Sequence, residues 1–503
     1  MTTTQTTGGL LSALSSAINT RIATEGVLGD WETRGAQVAR YRRYYDGEHD
    51  AALTETMRKM LRMSDEAQEF NNNYIPVVID TMVNRLIITD VSADTENATA
   101  WLRELLDDSS FDTLQRTLHL ATALDGDSFI MIWHDGNRAR LSHQLAYDGE
   151  SGIIPVYESE DSPVMLCAVK IWAEVFQTDQ NGKIQIANRV RVNVYYPDRI
   201  EKFQSPLATG GTALQPYLAE GDDSHVHPWT KRDGSPLGIP ILHFRNRPRK
   251  NFGISEIANA LPLQDALNRT LHSLVSASEK TGFQVRAAFG FDPDPNEEGL
   301  APGDFILAGP GGLDNSQQVR LETLEAGSLA ELHSTARHLR TEIGNVTSTP
   351  APELFDSDNL SGEAFAARES TLVGKLRSTQ SSWGAVWEQV CDLAWEVEDA
   401  YSTTRPPTYT RARIRYADPA SKSEAKIIAS AVAVANTGRI STRAFLRLCA
   451  PVFGWDDLDI DRVLTEMNEE STARALAQIS ALPDFRNFEA LDAELTPQPQ
   501  PGT

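Results

Sequence analysis

Asp125 and Asp127 stand one residue apart, and a carboxylate pair at that spacing is raw material for general acid–base chemistry. Gly126 between them gives the same three residues a plainer reading as a helix-to-strand turn, where Asp and Gly are common. His225 and His227 alternate, so on a strand they share a face that could hold a metal. Their surroundings are rich in Pro, Gly and Asp and offer no third ligand, which favours surface histidines. A phosphate-cradling Gly-x-x-x-x-Gly-Lys-Ser/Thr loop is missing: Gly374-Lys375 lacks both the earlier glycine and the following hydroxyl. The common serine-hydrolase, zinc-protease and paired-cysteine signatures are missing too. No catalytic residue, metal or cofactor is assigned, and the sequence argues against an ATP-driven motor. An acidic hydrolase built on Asp125 and Asp127, or a monomeric scaffold or adaptor, is kept as the alternative.

Charge is distributed unevenly. Lys and Arg total 46 against 70 Asp and Glu, a formal net charge of −24 over 503 residues. Such a chain repels nucleic acid on average, so any DNA contact is local or weak by design. The densest basic cluster is Arg245, Arg247, Arg249 and Lys250, suited equally to phosphate and to an acidic neighbouring subunit. A second basic run, Arg40 to Tyr45, interleaves arginines with tyrosines, a pattern of nucleic-acid surfaces and of helices that bury their tyrosines. The opposite extreme is the segment Glu353, Leu354, Phe355, Asp356, Ser357, Asp358 and Asn359, with three carboxylates and no cation. Pro350 and Pro352 stiffen its base.

The elements that position these residues are mostly helical around a β-rich centre, an α+β chain. Hydrophobic residues make up 41% and charged residues 23%, an ordinary globular balance, and the length suggests roughly three domains. A helical pattern runs from Leu10 to about Met63, followed by an apolar helix Val77–Ile88 and one long helix from Ala98 to Leu124. Strands follow from Ser128 to Phe244, with Asn181-Gly182 as a hairpin turn and residues 204–236 as a surface excursion. Leu263, Leu267, Leu271 and Leu274 then stripe a helix of residues 255–282, in which Pro262 either opens the helix or kinks it. After about forty-five irregular residues, a helix capped by Ser328 carries Leu329, Leu332, Ala336, Leu339, Ile343 and Val346. A third helix starts at Ser361 and carries Phe365, Leu372, Leu376, Trp383, Trp387, Val390, Ala394, Val397 and Tyr401, roughly 60 Å long. A strand Arg411–Tyr416 and four helices, including Leu458–Glu470 and Ser471–Leu482, complete the chain before a Pro-rich tail. Cys167, Cys391 and Cys449 cannot all pair, and neither a secretory leader nor a membrane span is read, so a reducing interior is expected.

Five segments in this order resemble the portal proteins of tailed bacteriophages, the gp6-type siphophage family and its actinobacteriophage members in particular. They are Tyr44-Tyr-Asp-Gly47, the Asn-rich stretch 71–73 before Val77–Leu86, Phe252-Gly-Ile-Ser-Glu256, Leu263-Gln-Asp-Ala-Leu-Asn-Arg269, and Thr349-Pro-Ala-Pro-Glu-Leu354 with Leu360-Ser-Gly362. The resemblance spans about residues 35–400. It implies the portal fold: a wing of residues 1–254, stem helices 255–282 and 328–348, and a clip of residues 283–327. A tunnel loop 349–361, a long helix with the wing return strand 362–419, an all-helical crown 420–490 and a disordered tail 491–503 complete it. It also implies a homododecameric ring at the unique capsid vertex of a virion, assembled in the host cytoplasm, through which double-stranded DNA is packaged and ejected. Partners would be the large terminase, a head–tail adaptor, and the major capsid and scaffolding proteins, with no membrane. Glu353 to Asn359 would face DNA. Leu263, Leu267, Leu271, Leu274, Leu332, Leu339 and Ile343 would pack the stem. Asp292, Asp294, Phe305 and Gly311 in the clip would meet terminase or adaptor. Acidic walls repel a duplex from every side, which suits a conduit that must not grip its cargo.

Overall fold

The computed structural model describes residues 31–50, 71–159, 161–180, 183–205, 214–219, 221–282, 286–289, 305–308, 320–323, 329–350, 354, 362–420, 431–436, 438, 440–453, 455 and 457–481. Outside them lie the segments expected to be helical before Trp31 and at 51–70, the turn Asn181-Gly182, the cap Ser328 and the tail. Asp292, Asp294, Gly311, Glu353, Phe355, Asp356, Ser357, Asp358 and Asn359 lie outside them too. The chain divides into two compact units, Met1–Pro419 and Ala420–Thr503.

In the first unit, α1 (Trp31–Tyr45) places Glu32 in its first turn and Arg42 and Arg43 in its last, each complementing the helix dipole. Helix α2 (Ile75–Val83) is shorter than the apolar run suggested. Ile88 instead opens strand β1 (Ile88–Ala93), which pairs antiparallel with β14 (Ala412–Tyr416) and buries Ile88 and Val91. The β-branched Ile87-Ile88-Thr89 suits a pleat better than another helical turn. The expected single helix 98–124 is two, α3 (Glu96–Asp108) and α4 (Phe111–Asp125). Ser110 breaks them apart with a left-handed φ of 52°, and Asp107-Asp108-Ser109-Ser110 supplies the competing polar side chains. Gly126, at φ +90°, ends α4 as a left-handed cap, a conformation glycine adopts without cost.

Three further sheets follow. Strands β2 (Asp127–His134), β3 (Ala139–Leu145) and β10 (Ile241–Arg245) form one, in the order β10-β2-β3. A second runs β4-β5-β6-β7-β8, built from β4 (Gly152–Tyr157), β5 (Met165–Gln180), β6 (Lys183–Tyr195), β7 (Arg199–Gln204) and β8 (Gln215–Pro216). Gln180 pairs with Lys183 across a two-residue connection, the hairpin expected there. The excursion after β7 contributes β8 and β9 (Val226–Pro228), both paired to β7.

Helix α5 (Leu261–Gly282) begins six residues later than expected, because Pro262 opens it and residues 256–260 form turns. Between α5 and α6 (Leu329–Thr347) a small sheet of β11 (Arg286–Phe289), β12 (Phe305–Ala308) and β13 (Arg320–Thr323) is ordered β12-β11-β13. Ser348, at φ 56°, and Pro350 then end α6. Helix α7 (Gly362–Tyr401) is continuous over 40 residues. Leu372, Leu376, Trp383, Trp387, Val390, Ala394 and Val397 are buried along it in the main core, whereas Tyr401 is exposed and stacks on Trp229. In the second unit, α8 (Thr442–Phe453) and α9 (Asp457–Ala481) bury Leu446, Ala450 and Ile460. The two helices expected at 458–482 are this single α9, for no proline or glycine separates Glu470 from Ser471.

Candidate functional site

The α5–α6 pair is held at its base by three polar joints. In the first, α5 turns its polar side towards the N-terminal segment. Gln264 accepts from the Tyr74 amide at 3.1 Å and donates to the Asn72 carbonyl at 2.6 Å, while Asn268 accepts from the Asn72 amide at 3.1 Å. Asp265 accepts the Tyr44 hydroxyl at 2.7 Å. Burial, reinforced by that carboxylate, pushes the Tyr44 phenol up to about 12, so it stays a donor at any physiological pH. Gln264 and Asn268 are buried, so their amides meet the backbone demand of an otherwise unpaired stretch.

The second joint ties both ends of the pair to α7. Lys375 reaches the buried carboxylate of Glu256 at 2.5 Å and donates to the Thr347 carbonyl at 3.0 Å. Arg247 approaches Glu256 at 3.2 Å and the Asn246 amide donates to it at 3.0 Å. One ammonium on α7 therefore grips Glu256, at the start of the turns that lead into α5, and the last residue of α6. The chain leaves and returns at one point, and the pair is a hairpin.

The third joint contains the carboxylates first considered for chemistry. Asp127 is paired with Arg34, accepts the Gly253 amide at 2.7 Å and meets His243 Nε2 at 2.9 Å. His243 is fully enclosed and held far below the ordinary imidazole range by that burial, so it is neutral: Nε2–H donates to Asp127 and Nδ1 accepts the Tyr157 hydroxyl at 2.8 Å. Asp125 lies 2.7 Å from Arg42, which also meets Asp148 at 2.7 Å. Burial raises the Asp125 carboxyl to about 6, against the pull of Arg42. The neighbouring Ser128 hydroxyl, 2.7 Å from His143 Nε2, is fully buried. Each carboxylate is thus committed to an arginine, Asp127 to Arg34 and Asp125 to Arg42. A Cβ on Gly253 would sit 1.9 Å from the Gly126 carbonyl oxygen, so the chains cross here only through glycine.

The other sequence-marked residues fall as follows. Tyr44 is buried, Tyr41 and Tyr45 pack on the core, and Arg40, Arg42 and Arg43 pair with acids, so that run is a packing helix. Arg245 gives its carbonyl to the Trp383 indole at 3.0 Å, Arg247 serves Glu256, and Arg249 is exposed in the turn closed by its bridge to Phe252. Lys250 is exposed at φ 57°. Leu267, Ala336 and Ile343 are buried in the main core, with Leu263, Leu271 and Leu339 packed against it. Leu274 and Leu332 are half-buried, and Val346, expected on the stripe, is 42% exposed. Leu354, expected to face DNA, is fully buried in the main core, where its apolar side chain is better placed than among carboxylates. Phe305 lies on β12. His225 and His227 flank Val226 at β9, where His227 meets Asp222 at 3.3 Å. Among the described residues no three His, Cys, Asp or Glu side chains gather as metal ligands, and no helix is long and apolar enough to cross a membrane.

The family model for phage portal proteins of the SPP1 Gp6-like kind matches residues 27–473. The chain belongs to that portal family. Portal proteins of Mycobacterium phages D29 and L5 are 27% and 26% identical over 222 and 216 residues, 42% and 39% of this chain. Each match spans 44% of the relative's own length. A chain from the virion of a native gene transfer agent particle aligns over 88% of this chain and 99% of its own, at 9% identity and a TM-score of 0.41.

Three of the five segments that carried the portal resemblance, 44–47, 71–73 and 263–269, are in contact, and a fourth, 252–256, is tied to β2 and α7. Tyr44 meets Asp265, Asn72 meets Gln264 and Asn268, and Gly253 and Glu256 meet Asp127 and Lys375. Sequence reasoning missed Lys375, Gln264 and Asn268 as the joints of this portal subunit. The available signal was polar: Gln264, Asp265 and Asn268 interrupt a leucine-striped helix on one side.

Proposed function

We infer that the chain is the subunit of a portal ring, with on the order of twelve copies closed around double-stranded DNA at one capsid vertex. Residues 1–254 and 362–419 form the wing, α5 and α6 the stem, the small sheet between them the clip, residues 349–361 the tunnel loop, and residues 420–490 the crown. The role is structural: DNA passes through during packaging and ejection, the clip docks terminase and later the head–tail adaptor, and capsid and scaffolding proteins surround the ring in the virion. The observation that carries this reading is the hairpin itself. It is fixed at its root by buried polar joints, while Val275 is 36% exposed, Val346 42%, and five of its seven marked stem residues are only half-buried in the lone chain. A neighbouring copy would cover those apolar edges.

The loop assignment is tested in phage assembly. Deleting 353–359 would also pull Leu354 from the core, so the sharper change replaces Glu353, Asp356 and Asp358 with amides. Particles carrying it should assemble portal rings yet package or retain less DNA. Full packaging by that variant removes the loop from the conduit.

A further inference from the structure

The two-stranded sheet β1–β14 carries a basic face that the portal reading does not use. Along β14 the sequence is Ala412-Arg-Ile-Arg-Tyr416, and alternation sends successive side chains to opposite faces. Ala412, Ile414 and Tyr416 turn inward and join or pack against the main core. Arg413 and Arg415 are exposed on the other face, about 7 Å apart along the strand. Their register is fixed, Arg413 opposite Ser92 and Arg415 opposite Asp90. Asp90 is engaged by Arg103 of α3 at 3.1 Å, whose side chain is itself 59% exposed. Arg411 is drawn aside to Glu388 at 2.7 Å.

Many guanidiniums of this acidic chain are matched: Arg34, Arg42, Arg85, Arg138 and Arg191 each meet a carboxylate. Arg413 and Arg415 meet none within ion-pair distance among the described residues. Two unneutralised guanidiniums, held at fixed spacing by a strand whose back is buried, suit a polyanion with regularly repeated charge. The hydroxyl of Ser92 on β1, opposite Arg413, adds a donor of the kind that contacts phosphate oxygens, while the Thr89 hydroxyl is spent on the Arg415 carbonyl at 3.2 Å. A stable protein interface needs an apolar centre, and the outward residues of this pair of strands are arginine, serine, threonine and aspartate.

We propose that the outer face of β1–β14, through Arg413 and Arg415 with Arg103 beside them, is a weak, sequence-independent contact for the phosphate backbone of duplex DNA. It rests on the portal reading only for where DNA is met; the contact itself is a property of the strand. Two or three phosphates neutralised per chain give a contact that salt dissolves readily, as befits DNA that must move.

The test is binding of a fluorescent duplex to the full-length chain at several salt concentrations. Replacing both residues in the R413Q/R415Q pair should lower the log–log salt slope by about 2, so that wild-type affinity falls about tenfold more than the variant's between 50 and 200 mM salt. The R413K/R415K pair should keep the wild-type slope, since phosphate attraction needs the charge more than the fork. Equal slopes for wild type and the glutamine pair would overturn the proposal. So would a lysine pair that behaves like the glutamine pair, or tighter binding to polyglutamate than to duplex at equal charge. Thermal unfolding of each variant checks its fold, and particle mass is measured on the same samples. A chain that fails to form rings yet shows the slope change refutes the ring and keeps the contact.

Discussion

Replacing Lys375 with methionine removes the cation that closes the hairpin root. The side chain of Glu256 is 1% exposed and that of Lys375 17%, so the charge left behind has almost no access to water. Breaking a buried ion pair from one side costs about 3–5 kcal/mol, because the remaining charge keeps its desolvation penalty. Here Arg247 at 3.2 Å and Asn246 at 3.0 Å still serve Glu256, which lowers the loss. The Thr347 carbonyl, in turn, loses its Lys375 donor, about 1 kcal/mol more. We expect K375M to lose about 3 kcal/mol in urea unfolding followed by tryptophan fluorescence at fixed protein concentration. Adding Glu256→Gln should recover part of that loss, because the stranded charge disappears, and the cycle should show coupling of about 2 kcal/mol. A K375M protein within about 0.5 kcal/mol of wild type, or additive single and double variants, would refute the root as an electrostatic joint.

Two further substitutions probe packing and pH. Gly253→Ala forces a Cβ onto backbone atoms of Gly126 and Asn246, and should cost about 3 kcal/mol or prevent folding; Gly374→Ala, with open space on α7, should gain about 1 kcal/mol. Both are read as melting temperatures, and equal shifts for the two would contradict the crossing at Gly253. His119 is buried between the Leu86 carbonyl at 2.9 Å and the Trp387 indole at 3.1 Å, and burial lowers its pKa to about 4. The unfolded chain takes up that proton first, near pH 6.5, so the stability it contributes is complete above 6.5 and is lost as pH falls to about 4. The loss is about 3 kcal/mol. Asp125 acts oppositely: its raised pKa lets the folded chain hold a proton longer, so its contribution fades as pH rises from about 4 through 6. His119→Gln keeps an acceptor for Trp387 and should flatten the acid limb of stability against pH; an unchanged limb would show that other groups control it.

Apolar periodicity made the rods legible. The stripe from Leu372 to Val397 reappears as a buried face, the leucines of α5 as a stripe of which Leu267 is buried and Leu263, Leu271 and Leu274 are half-buried, and Pro262, Gly126 and Pro350 mark real ends. Local pattern failed where tertiary partners decide. Ile88 belongs to a strand only because β14, more than three hundred residues later, pairs with it. Ser110 splits a helix through a backbone conformation that hydropathy does not record. At the candidate site, the acidic and basic runs were visible, but charge alone did not say which are spent. Arg42 neutralises Asp125 and Asp148 at long range, while Arg413 and Arg415 looked like ordinary strand residues. Leu354 was read with its carboxylate neighbours, yet its own hydrophobicity places it inside.

The assembly state tests the account most directly. Light scattering coupled to size exclusion on the full-length chain should give a discrete particle near twelve times the 55.4 kDa protomer, unchanged on dilution over a moderate range. A single 55.4 kDa species at every concentration, with the edges of α5 and α6 protected from solvent exchange, would contradict it.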